Sequence, residues 1–185
     1  MKKVKLAFYK PSKDFRGIDD IFIDWWTKSD ITHTEIFTHQ LEDGRYVSWT
    51  ASGKAGGVVK RIRRLNPEKW MYKDVELKEE DINKIVGFFL SIENSKYDWL
   101  GLFGFVFPIR DREDRWFCSE TTANSMKIVG DKRMWKLDPS VISPGKLAEL
   151  YGVEKRRNEN RFITFFTRLI PDLTKWLYKA IRRYF

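Results

Sequence analysis

At 185 residues the chain is long enough for one hydrophobic core of ordinary size, and its 14 Phe, 8 Trp and 7 Tyr exclude intrinsic disorder for most of its length. A single cysteine, Cys118, excludes an intramolecular disulfide and a cysteine-rich zinc site, so a reducing compartment is the simpler expectation. The net charge of +9 is unevenly placed: residues 155–185 hold nine basic and two acidic side chains, and the near balance elsewhere argues against a basic nucleic-acid-binding core.

Lys3 to Tyr9 alternates as a first strand should, and Ile18, Ile21, Phe22, Trp25 and Trp26 then fall on one face of a short helix. Thr32 to His39 and Arg45 to Ala51 flank Asp43-Gly44, a strong tight-turn signal, and are expected to pair as an antiparallel hairpin. Gly56-Gly57 interrupts the chain before another β-branched stretch, Val58 to Ile62, and Trp70 to Leu77 supplies one more strand. The first half therefore reads as a small antiparallel sheet.

Ile82, Ile85, Val86, Phe89 and Leu90 recur at helical spacing after the acidic first turn Glu79-Glu80-Asp81, which suits the positive end of a helix dipole. Tyr97 to Phe105, rich in glycine and aromatic residues, fits neither the helix nor the strand period. Cys118 to Val129 reads as a helix with Ala123, Met126 and Val129 inward, stopped by Gly130. Ser143-Pro144 and Gly152 then bracket a last short helix by N-cap, first-turn proline and C-terminal glycine signals. One domain over residues 1–153 and a tail over 154–185 follow.

Lys5, Lys10, Lys13 and Asp14 break the apolar stretch after Met1-Lys2-Lys3, so no secretory signal peptide is expected. The longest charge-free apolar run, Trp99 to Ile109, is too short for a spanning helix, which needs roughly 20 residues.

The sharpest chemical feature is Trp116-Phe117-Cys118-Ser119-Glu120, where the one thiol stands at the start of a helix after a loop. Unpaired backbone N–H groups and the dipole end favour thiolate at such a position. A nucleophilic cysteine needs a base, and the choice is between His33 and His39. The strand period puts His33 and Glu35 on one face with Phe37, so the carboxylate can orient the imidazole or bind substrate beside it. His39, next to the turn, is expected to be a solvated surface residue. A metal site is disfavoured because His33 and Glu35 lack a third and fourth ligand nearby, and no cofactor is called for. The plainer alternative is that Cys118 is a small buried apolar residue and the strand a polar surface.

Five motifs in order carry a resemblance: His33-Thr34-Glu35; the stretch around Thr50-Ala51-Ser52; Gly56-Gly57-Val58-Val59-Lys60-Arg61; Tyr97-Asp98-Trp99-Leu100-Gly101; and Trp116 to Glu120. Together they cover most of residues 30 to 125. They resemble the circularly permuted branch of the NlpC-type, papain-like cysteine hydrolases, in which histidine precedes cysteine. That resemblance implies an α+β fold, with the helix of the nucleophile packed on an antiparallel sheet. It also implies a bacteriophage origin, with the protein in the host cytoplasm or associated with the virion. By the same resemblance Cys118 is the nucleophile and His33 the general base. The orienting third member comes from Thr50, a weak match, or from Glu35, the stronger chemical candidate. Ser119 lends its backbone N–H to an oxyanion site, and Glu120 supports the first helical turn. The chemistry implied is acyl transfer through a thioester, on a peptide, amide or lipid-acyl substrate.

Apolar residues from Phe162 to Tyr184 recur at intervals of three and four with basic residues on other faces, so Arg161 to Phe185 reads as a basic amphipathic helix with a kink or restart at Pro171. It suits the plane of an anionic membrane, or a docking site on its own domain or a protein partner. A non-catalytic phage structural or binding protein on the same scaffold is the alternative from a different class. Nucleic-acid binding by the tail and by Lys60-Arg61-Ile62-Arg63-Arg64 is the weakest of the three.

Overall fold

The computed structural model describes residues 1–11, 29–99 and 114–154. The helix expected around Ile18 to Trp26, most of the stretch from Tyr97 to Phe105 and the amphipathic tail lie outside the described residues.

Five strands follow the sequence pattern closely: β1 (Lys2–Tyr9), β2 (His33–Gln40), β3 (Tyr46–Ser52), β4 (Gly57–Arg63) and β5 (Trp70–Leu77). Helix α1 (Glu79–Ser91) comes next, then the two-residue strands β6 (Lys96–Tyr97) and β7 (Arg115–Trp116), helix α2 (Cys118–Ile128) and helix α3 (Pro144–Leu150). The architecture is α+β. The strands form one sheet in the order β5-β1-β2-β3-β4-β6-β7. β1 to β5 pair antiparallel throughout. The antiparallel sheet expected of the first half is present as β1 to β5, and the short strands β6 and β7, parallel to one another, extend it from the second half of the chain, where the fold class had the sheet antiparallel.

Strand alternation assigns the two faces. Val4, Leu6 and Phe8 of β1, Ile36 of β2, Trp49 and Ala51 of β3 and Val58 of β4 are buried in one core with Ile82, Ile85 and Phe89 of α1, Ala123 and Met126 of α2, and Leu147 and Ala148 of α3. The Trp49 and Phe89 rings stack at 5.5 Å. Each such side chain taken from water is worth about 1.5–3 kcal/mol, so this face holds the helices to the sheet. The registers Tyr9↔His33, Ala7↔Glu35 and Lys5↔Phe37 put the other set of side chains on the opposite face, where the candidate site lies.

The joint between β4 and β6 depends on close backbone approach. A Cβ on Gly57 would stand 2.0 Å from the Ser95 carbonyl oxygen, so only glycine fits there.

Helix α2 is buried over most of its length although five of its first seven residues are polar. Its hydroxyls are satisfied within the helix or by its neighbours. Thr121 and Thr122 donate to the Cys118 carbonyl at 2.9 and 3.0 Å, Ser125 donates to that of Thr121, and Ser119 donates to that of Ile142. Such local bonds let a Ser/Thr-rich helix occupy a core position without stranded polar groups.

Candidate functional site

Cys118 is the first residue of α2, after the extended N-cap Phe117. The Glu120 side chain turns back to accept from the Phe117 N–H at 3.1 Å, the supporting role its position suggested. The Ser119 hydroxyl is committed to the Ile142 carbonyl. What Ser119 has to offer an oxyanion is therefore its amide, which belongs to the unpaired first turn of the helix.

His33 opens β2 and meets this helix start. The Thr34 and Thr122 hydroxyls lie 3.2 Å apart, one residue along the strand from His33 and one turn along the helix from Cys118, and this bond sets the register between the two elements. The imidazole of His33 is close enough to Cys118 for its pKa to be raised. Its Nε2 lies 3.3 Å from the Thr50 hydroxyl and 3.6 Å from Oε1 of Glu35.

Burial works against a charge on His33, but Cys118 and then Glu35 outweigh it, and the pKa is pushed up to about 9. The ring is therefore an imidazolium at neutral pH. A cationic imidazole beside a sulfur is the setting in which cysteine acts as a nucleophile.

Glu35 has a fully buried side chain, shared between His33 and two guanidinium groups: Arg61 and Arg63 each place a nitrogen 3.3 Å from Oε1. Burial alone would raise the carboxyl pKa. The hydrogen bond and charge of His33, followed by the charges of Arg63 and Arg61, instead hold it below the ordinary carboxylate range. Oε2 has no hydrogen-bond partner among the described residues.

Thr50 donates its hydroxyl hydrogen to the Thr34 carbonyl at 2.7 Å, which leaves the oxygen to accept from His33. The edge of Trp70 packs against the ring at a centroid distance of 6.0 Å. The imidazole is thus held by a hydroxyl, a carboxylate and an aromatic wall. All five sequence candidates, Cys118, His33, Glu35, Thr50 and Ser119, fall at or directly beside this junction. His39 does not: it stands across a register shift between Phe37 and His39 and is felt by Glu79 at the start of α1.

Next to His33 the sheet face opens into a cavity of about 520 Å³, to which Glu35, Arg61, Arg63, Trp70 and Trp99 also contribute. Cys118 is fully buried and is not part of the lining, whereas His33 is. Arg61 and Arg63 entered the sequence reading only within a family motif and a candidate nucleic-acid-binding strand, and Trp70 only as the start of a strand. The alternation of β4 was the signal that could have found the arginines: odd positions point at Glu35, whereas Lys60 lies over the Trp49 ring on the helix side. Of the basic residues from Lys60 to Arg64, Arg61, Arg63 and Arg64 line the cavity and Lys60 does not.

Among the described residues no cluster of three metal-ligating side chains occurs, and no helix is long and apolar enough to cross a membrane. No protein-family model matches the chain, and no significant relative is found among curated proteins.

Proposed function

We propose that the chain is a cysteine-dependent hydrolase or acyltransferase with a permuted papain-like arrangement of its site. The observation that carries this is a helix-start cysteine that raises the pKa of a histidine whose Nε2 lies against Thr50 and Glu35. In that arrangement the Cys118 sulfur attacks an acyl carbon and forms a thioester, while amides of the first helical turn, that of Ser119 included, face the developing oxyanion. His33 gives its proton to the leaving amine or alkoxide as that bond breaks. It then takes a proton from water, which cleaves the thioester and frees the thiol.

The test is labelling by a thiol-directed acyl probe followed by identification of the modified residue. Cys118→Ala is expected to fold normally and to lose both labelling and hydrolysis, and His33→Ala to lose both to a similar degree. Hydrolysis retained by Cys118→Ala would remove the sulfur from the chemistry.

The burial of Cys118 favours one other reading, a non-catalytic binding protein in which the cavity and not the thiol is the working part. Unreactive Cys118 in the folded protein, together with ligand binding in the cavity, would decide for it.

The basic tail, in either case, is proposed to hold the domain to an anionic membrane or a protein partner. Co-sedimentation with anionic vesicles, with and without residues 155–185, separates the two.

A further inference from the structure

The cavity beside His33 collects five cationic side chains, Lys54, Arg61, Arg63, Arg64 and Lys69, and one carboxylate, Glu35. That carboxylate is already divided between Arg61 and Arg63. Lys54, Arg64 and Lys69 form no ion pair among the described residues, and Asp43, on which Arg64 has a small effect, is held by Arg45. The Nε of Arg63 is buried without a hydrogen-bond partner among the described residues, although Arg63 faces the cavity.

Leaving His33 aside, five cations against one carboxylate leave four positive charges in surplus. In a cavity of about 520 Å³ they lie within reach of one another at physiological salt, where the Debye length is about 8 Å, and they repel. A bound anion would relieve that repulsion. A single carboxylate offers one charge and two oxygens, whereas a phosphate monoester offers nearly two charges and three strong acceptor oxygens, the better match to several separate donors. Trp70, Tyr72 and Trp99 supply flat apolar walls for whatever the phosphate is attached to.

We infer that the cavity binds a phosphate monoester, with the adjoining apolar part of the molecule against the aromatic walls. Calling this molecule the substrate rests on the acyl-transfer proposal above. Binding itself does not, and it can be measured without turnover. Failure of the Cys118→Ala experiment would leave the phosphate site standing, and failure of the binding experiment would leave the acyl-transfer chemistry standing.

The experiment is calorimetric titration of the full chain at pH 8 and fixed ionic strength with phenyl phosphate, benzoate and a short-chain phosphatidate below its micelle concentration. Phenyl phosphate is expected to bind at least about tenfold more tightly than benzoate, and its affinity is expected to fall with added salt. The Arg64→Glu/Lys69→Glu double variant, which leaves the Glu35 contacts alone, is expected to lose at least about tenfold in affinity with an unchanged circular dichroism spectrum. Should that variant not fold, Lys54→Gln provides the same test with a smaller expected loss. Phosphatidate binding more tightly than phenyl phosphate would support the site and assign it to a lipid headgroup, and weaker binding would support it and assign it to a soluble phosphomonoester. Benzoate binding as well as phenyl phosphate, or full affinity in the folded charge variants, would overturn the inference.

Discussion

The Thr50 hydroxyl stands 3.3 Å from Nε2 of His33 while its own hydrogen is committed to the Thr34 carbonyl, so its oxygen can serve the imidazole only as an acceptor. A hydrogen bond to a charged group is worth about 1.5–3 kcal/mol, and every 1.4 kcal/mol is tenfold. On the acyl-transfer proposal, Thr50→Val is expected to lower kcat by about 10- to 100-fold with little change in KM, because it removes an orienting acceptor and not a substrate contact. Thr50→Asn, which restores an acceptor oxygen, is expected to recover most of the loss. Steady-state kinetics on the two variants check this, and an unaffected Thr50→Val enzyme would pass the orienting role to Glu35 alone.

A second expectation concerns the charge on His33. The pKa is raised from 6.5 to about 9, against the effect of burial, by Cys118 first and Glu35 next. Its contribution to stability is therefore fully present below about pH 6.5 and is lost as the pH rises through 9. Glu35, with its pKa lowered from 4.5, behaves in the opposite sense: its contribution is present above pH 4.5 and is lost as the pH falls. With two histidines in the chain, an imidazole NMR titration resolves the point directly. His33 is expected to titrate near 9 in the native protein and distinctly lower in Cys118→Ala. An unchanged titration in that variant would show that Cys118 is not what raises the pKa of His33.

The five main strands and three helices were legible in the sequence because their signals are local: alternation in β1 to β4, the Asp43-Gly44 turn, the acidic first turn of α1 and the Ser143-Pro144 start of α3. The placement of β5 was not legible. It lies on the far side of β1, a pairing between residues about seventy apart that no local pattern encodes. The two-residue strands β6 and β7 are too short to show any period. Within the site, His33 and Glu35 declared a common face by their spacing. The arginines that share Glu35 come from β4, two strands away, and became visible only when the register aligned Ser48 with Arg61 and Tyr46 with Arg63. The burial of α2 was hidden for a different reason: Ser and Thr read as surface residues until their hydroxyls are seen to bond within the helix.

Glu35 is expected to matter for folding as well as for chemistry. Its side chain has no exposure and is the carboxylate common to His33, Arg61 and Arg63. Removing one partner from a buried ionic cluster costs about 3–5 kcal/mol, because the remaining charges lose their compensation. Glu35→Ala is expected to show a loss of that size in urea unfolding. Glu35→Gln keeps the shape and one acceptor oxygen and is expected to lose less. If Glu35→Ala were as stable as the native chain, the two arginines would have to be balanced by other groups.

The glycines give a test of opposite signs within one chain. At Gly57 a methyl group would stand 2.0 Å from the Ser95 carbonyl oxygen, and this obstacle is backbone that also accepts the Val58 N–H at 2.9 Å. Relief requires β4 and β6 to separate, so Gly57→Ala is expected to destabilise the fold by at least about 2 kcal/mol, in the range typical of buried overpacking. At Gly87, in the middle of α1, a methyl group meets nothing within 4 Å. There the effect falls on the helix backbone and the unfolded chain, and Gly87→Ala is expected to stabilise by about 0.5–1 kcal/mol. Urea unfolding of the two variants measures both. A neutral Gly57→Ala would show that β6 does not approach β4 as closely as the pairing of Gly57 with Lys96 requires, and with it would go the support for Trp99 as a wall of the cavity.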